Sequence, residues 1–115
     1  MIARFEGLTP TRSRAVVHDG LVFTVAVSPD PDPTVYAQAV KALQRIDESL
    51  AMAGTDKSRI LQAIVYICDI KCKEEFNKAW DEWVDRAHPP MRACLGVDLE
   101  PPHMVEIVVT ATTKQ

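Results

Sequence analysis

The sequence predicts an α+β fold in two layers, with elements in the order β-β-β-α-β-α-β-β, and three observations carry that reading. Short apolar runs at 21–27, 60–70, 91–97 and 104–112, the second of them rich in β-branched residues, are bounded by Gly, Pro and Asp turn formers, as strands are. Two longer stretches, 35–53 and 73–87, repeat apolar residues at three- and four-residue steps, as amphipathic helices do. The chain holds 115 residues with 47% hydrophobic content, which suits one domain over residues 1–115 around one core.

Taken in order, residues 2–6 and 13–18 read as short extended segments, and His18-Asp19-Gly20 turns the chain into a central strand, Leu21 to Val27. Ser28-Pro29-Asp30-Pro31-Asp32-Pro33 is a stiff polar break, after which Asp32 or Thr34 can cap a helix. Tyr36, Ala39, Val40, Leu43, Ile46, Leu50 and Ala53 form the apolar stripe of that helix, and Gly54 stops it. Lys41, Gln44, Arg45, Asp47 and Glu48 occupy its other faces and read as solvated. After the strand at 60–70, the second helix places Phe76, Trp80, Trp83, Val84 and Ala87 together, which makes both tryptophans packing residues. Pro89 and Pro90 end it, and residues 98–103 join the last two strands.

Composition narrows the function classes. A net charge of -3 gives no general attraction for phosphates, and 6% aromatic content is sparse for base stacking, so nucleic-acid binding is disfavoured. The amino terminus lacks the apolar run of a signal peptide and no stretch is long enough to span a bilayer, so a soluble cytoplasmic protein without membrane contact is expected. Cys68, Cys72 and Cys94 are odd in number and form no CxxC pair, which favours buried thiols over a metal site or disulfides. His18, His88 and His103 fall at turns or a helix end and receive no catalytic role.

The number of buried faces points to assembly. Two helices cover one face of such a sheet, yet both faces are apolar in the later strands. Val105, Ile107, Val109 and Ala111 oppose Met104, Val108 and Glu106; likewise Ile60, Ile64, Tyr66 and Cys68 oppose Leu61, Ala63, Val65 and Ile67. Another copy of the chain is the economical cover, so a homo-oligomer is expected. Arg92 and Glu106 are lone charges in these strands and must be paired, solvated in a cleft or offered to a ligand. If Met91, Ala93, Leu95 and Val97 meet the helices, Arg92 and Glu106 both face the subunit interface, and a cleft between subunits is the expected site.

At these residues the chain resembles the RidA/YjgF family of reactive-imine deaminases. The most specific match is Pro89-Pro90-Met91-Arg92-Ala93-Cys94 through Leu99 to Val105-Glu106-Ile107, a P-x-R-x-x-V/L element followed by V-E-I. Arg-Ser-Arg-Ala-Val, Asp19 to Thr24, Ala53-Gly54, Asp69-Ile70 and Asn77 extend the likeness over nearly the whole chain. The resemblance implies a chorismate-mutase-like two-layer sandwich, a mixed sheet with two helices on one face, assembled as a homotrimer with three intersubunit clefts. It also implies hydrolysis of enamines or imines such as 2-aminoacrylate or 2-iminobutanoate to 2-keto acids and ammonia, without a cofactor or metal. Arg92 would grip the substrate carboxylate, Glu106 would hold the attacking water, and the backbone at Cys94 would lie near the substrate.

The sequence departs from the family pattern at the opposite rim. Arg12 stands where many relatives have tyrosine, Val25-Ala26 replace Ser-Gly, and Lys73 replaces phenylalanine. A Cβ at Ala26 is expected to crowd a backbone approach to the ligand. The substrate-binding set is then Arg92, Cys94, Arg12, Ala26 and Lys73, and the extra cations Arg12, Arg14 and Lys73 suit a larger dicarboxylate such as an aminomuconate. A non-enzymatic protein that binds a small carboxylate or a protein partner in the same clefts is the competing reading.

Overall fold

The computed structural model describes residues 1–114. Six strands form one sheet: β1 (Ala3–Glu6), β2 (Ser13–His18), β3 (Leu21–Val27), β4 (Ile60–Ile67), β5 (Met91–Gly96) and β6 (Val105–Thr112). Two helices, α1 (Val35–Met52) and α2 (Lys73–Trp83), complete the two layers. The sheet order is β1-β2-β3-β6-β4-β5, with β4 and β5 parallel and the other neighbours antiparallel. The parallel pair needs a crossover, and α2 supplies it.

Local chemistry sets the boundaries. Asp19 and Gly20 both take positive φ, 50° and 76°, the two-residue hairpin turn that matches strand twist. Thr34, not Asp32, caps α1: its Oγ1 accepts from Ala37 N at 3.1 Å, while Asp32 pairs with Lys41 at 2.7 Å. At the other end Thr55 N donates to Leu50 O and Gly54 N to Ala51 O, with Gly54 at φ 82°, which closes the helix as a Schellman motif. β4 stops at Ile67, earlier than the expected 70, because Asp69 accepts from Lys71 N and starts a short 3-10 turn. α2 stops at Trp83 instead of 87, since Val84 is extended and Asp85 accepts from Ala87 N.

The core lies between the helices and one sheet face. Leu43, Ile46, Leu50 and Phe76 pack there against Val65, Ile67, Ile107 and Val109, all almost fully buried. Each such side chain contributes about 1.5–3 kcal/mol of burial free energy. Gln38 is also buried, and its amide bridges three main-chain groups: Nε2 donates to Asp32 O (2.8 Å) and Pro102 O (3.0 Å), and Oε1 accepts from Met104 N (2.8 Å). This clamp fixes the turn entering β6. Gln38→Leu is expected to cost about 2–4 kcal/mol by orphaning those groups, read as a lower urea midpoint; an unchanged midpoint would contradict the clamp.

The face away from the helices is open and apolar, as expected. Phe23 (44% exposed), Val25 (42%), Leu95 (42%) and Met91 (68%) lie on it. Two parities differ from expectation. A bulge between Ile60 and Gln62 returns Ile60 to the helix side with Ala63, Val65 and Ile67. More consequentially, β5 pairs in parallel with β4 so that Arg92 aligns with Ala63 and Cys94 with Val65, both helix-side residues. Arg92 and Cys94 therefore face the helices, while Met91, Ala93 and Leu95 take the open face. The alternation was right and its assignment inverted, because an edge strand only partly roofed by α2 turns its apolar side toward the uncovered face. Glu106 is on that open face, opposite to Arg92.

Candidate active site

The expected site residues separate into two groups. The first gathers where β3 loses a neighbour. Pairing of β2 with β3 ends at Ala15–Thr24, whereas β3 continues along β6 to Val27–Glu106, so Val25, Ala26 and Val27 present one main-chain edge unpaired by β2. Beside that edge lies a pocket of about 470 Å³, lined among others by Arg12, Arg14, Ala26, Arg45, His103 and Glu106. The loop between β1 and β2 forms its outer wall, and the loop's close return depends on Gly7, where a Cβ would stand 2.5 Å from Arg12 O.

Within this group Glu106 is half-buried between Val27 of β3 and Tyr66 of β4, and it makes no hydrogen bond or ion pair among the described residues. Arg12 is exposed at the rim. Ala26 is only 4% exposed and its side chain belongs to the core, so its Cβ does not crowd the pocket as anticipated; its contribution there is main chain. Arg14 is consumed elsewhere: Nε donates to Ser49 Oγ at 2.8 Å and Nη2 to Glu48 at 3.2 Å.

The second group sits across the sheet. Arg92 Cζ lies 5.6 Å from the Phe76 ring centroid and 5.3 Å from that of Trp80. The aromatic faces stabilise the cation without using its in-plane N–H fork, and no carboxylate pairs with it among the described residues. Cys94 packs beside it against the core. Lys73 opens α2 and is exposed, and it does not line the pocket that holds Arg12 and Glu106.

The sequence model of the Endoribonuclease L-PSP family matches residues 9–113. The chain belongs to that family. A RutC family protein from Haemophilus influenzae is 39% identical over 103 residues, covering 87% of this chain and 89% of the relative. YoaB from Escherichia coli is 33% identical, covering 86% and 88%. The crystal structure of a YjgF family member from Neisseria meningitidis matches with a TM-score of 0.94 at 36% identity, over 100% of this chain and 97% of that one. The sheet with two helices on one face is thus the YjgF fold, and in this chain Arg92 and Glu106 lie on opposite sides of it.

Sequence reasoning left two pocket-related residues of this YjgF-family chain unassigned. Arg45, a solvated residue by spacing alone, lines the pocket, and Gln38, which no motif marks, fixes the turn before Glu106. A signal exists: Gln38, Arg45 and Ser49 fall at steps of seven and four, a polar stripe at helical spacing beside the apolar one. Burial, then Asp69 and Glu75, push the Cys72 thiol above the ordinary thiol range. No helix is long and apolar enough to cross a membrane among the described residues.

Proposed function

We propose that this protein hydrolyses reactive enamines and imines of 2-keto acids to the keto acid and ammonia, in clefts between the subunits of a cytoplasmic homotrimer. The observation that carries the reading is the pair of charges unspent among the described residues: Arg92 with its N–H fork free, and Glu106 half-buried without a partner there. Because they occupy opposite sheet faces, one protomer cannot close both around a small molecule. Arg92 of one subunit and Glu106 of its neighbour would complete each cleft, and the apolar open face supplies the surface for that assembly.

In the cleft, Arg92 takes the substrate carboxylate through two parallel charge-assisted hydrogen bonds. An enamine protonated at its β-carbon becomes the iminium, whose carbon is already electrophilic. Glu106 accepts a proton from a held water as its oxygen bonds to that carbon, then returns the proton to nitrogen. Glu106 then takes the hydroxyl proton as the carbinolamine collapses and the C–N bond breaks, and the departing ammonia carries that proton away as ammonium. Orientation and one base suffice, so neither a covalent enzyme intermediate nor a cofactor enters the reading. RNA cleavage, which the family's name mentions, finds little support in a chain of net charge -3 with 6% aromatic residues.

The test couples the purified protein to an enzyme that generates 2-iminobutanoate or 2-aminoacrylate and follows keto-acid formation. Wild type is expected to accelerate hydrolysis and Arg92→Ala to lose at least about a hundredfold in kcat/KM. No acceleration by wild type would favour the non-enzymatic carboxylate binder instead.

A further inference from the structure

We propose that Arg45 forms a second anion site in the pocket, so that the preferred ligand is a 2-keto or 2-imino acid carrying a second carboxylate. The inference rests on reading the pocket as part of the substrate cleft, and it names the substrate class that this cleft takes. Arg45 projects from the middle of α1 and is half-buried in the pocket wall. A guanidinium so placed ordinarily finds a carboxylate one helical turn away. Here Glu48, three residues on, is drawn off by Arg14 at 3.2 Å, and Ser49 takes the Nε of the same arginine at 2.8 Å. On the preceding turn stands Lys41, a like charge held by Asp30 and Asp32 at 2.9 and 2.7 Å.

Every acidic neighbour on α1 that could neutralise Arg45 is therefore engaged, and among the described residues Arg45 makes no hydrogen bond or ion pair. Two carboxylates share the pocket, Glu100 and Glu106, and neither pairs with it. Holding a half-buried cation unpaired costs desolvation that an incoming anion recovers. A planar fork favours a carboxylate that can meet it with two oxygens. Arg12 at the rim adds attraction without burial, and His103 is the remaining titratable group of the wall. Of the cations in this pocket Arg14 is spent on Ser49 and Glu48, which leaves Arg12 and Arg45; Lys73 opens α2, on the Arg92 side of the sheet, and is not part of this half of the cleft.

The ligands for the test are stable keto acids, so binding is read without turnover. Titration calorimetry of the full-length protein with 2-oxoglutarate and with 2-oxobutanoate is expected to show the dicarboxylate binding about tenfold tighter, the scale of one charge-assisted contact. Arg45→Gln is expected to bring that ratio close to one, and Arg45→Lys to restore part of it. A wild-type ratio of one or less, or a ratio unmoved in Arg45→Gln, overturns the second site. So does a fall in oligomer mass in Arg45→Gln, which would make Arg45 a subunit-pairing residue. Failure of the hydrolysis reading is separate: it appears as no acceleration of imine hydrolysis, whatever the binding ratio.

Discussion

Arg92→Ala and Glu106→Gln proteins, each nearly inactive alone, are expected to regain roughly a quarter of wild-type activity when unfolded together and reassembled in equal amounts. The number follows from the sheet. Arg92 aligns with Ala63 on the helix side, and Glu106 lies between Val27 and Tyr66 on the open side. If each cleft takes Arg92 from one subunit and Glu106 from the next, a functional cleft needs a Glu106→Gln subunit, which keeps the arginine, beside an Arg92→Ala subunit, which keeps the glutamate. Random assembly places that ordered pair at about one contact in four. Each variant alone should lose about a hundredfold or more, since removing Arg92 removes a bidentate clamp and Glu106→Gln removes the proton acceptor while keeping its shape. Mixing without reassembly serves as the blank. Reassembled mixtures as inactive as their parents would place both residues in one protomer's site, or remove one of them from the chemistry.

Most of the fold could be read because local and long-range demands agreed. β3 and β6 alternate cleanly, their buried partners Val22, Ala26, Ile107 and Ala111 all meet the helices, and the turn at Asp19-Gly20 leaves one register. The helices announced themselves by period, though their ends depended on Asp69 and Asp85 accepting from nearby main-chain N–H groups, a competition that apolar spacing does not register. The failure that mattered was β5. Alternation reports which residues share a face and is silent on which face meets what, and an apolar open side removes the usual polar marker. Arg92 finds its place under α2 because Phe76 and Trp80 offer π faces to its guanidinium, a contact spanning α2 and β5 that no spacing within β5 encodes. Arg45 was hidden for a related reason: among Lys41, Gln44, Asp47 and Glu48 it reads as one more solvated charge, and spacing on α1 does not show that Arg14, far away in sequence, takes Glu48.

Val108→Glu is expected to split the proposed trimer and abolish the proposed activity while leaving each chain folded. Val108 sits near the middle of the open face, half-buried between Val25 of β3 and Ile64 of β4. In an isolated chain a glutamate there can extend its carboxylate past its neighbours into water, and the helix-side core of Val65, Ile107 and Val109 is untouched. In the assembly the same carboxylate would be enclosed by apolar surface from another subunit, at a cost of about 3–5 kcal/mol per copy. Several copies brought together by symmetry multiply that cost and add mutual repulsion. Light scattering should then report the mass of the 12.8 kDa single chain, with far-ultraviolet circular dichroism unchanged. Gln44→Glu, a matched charge change on the exposed side of α1, should leave the mass as in wild type. The sign of the pH response is diagnostic. Enclosure raises a carboxyl's pKa, so protonation favours association, and lowering the pH toward the ordinary glutamate range should rebuild the larger species. An oligomer that survives Val108→Glu near neutral pH would mean that the open face is not where the subunits meet. The two half-sites, Arg92 on its aromatic shelf and Glu106 across the sheet, would then need a different surface to bring them together.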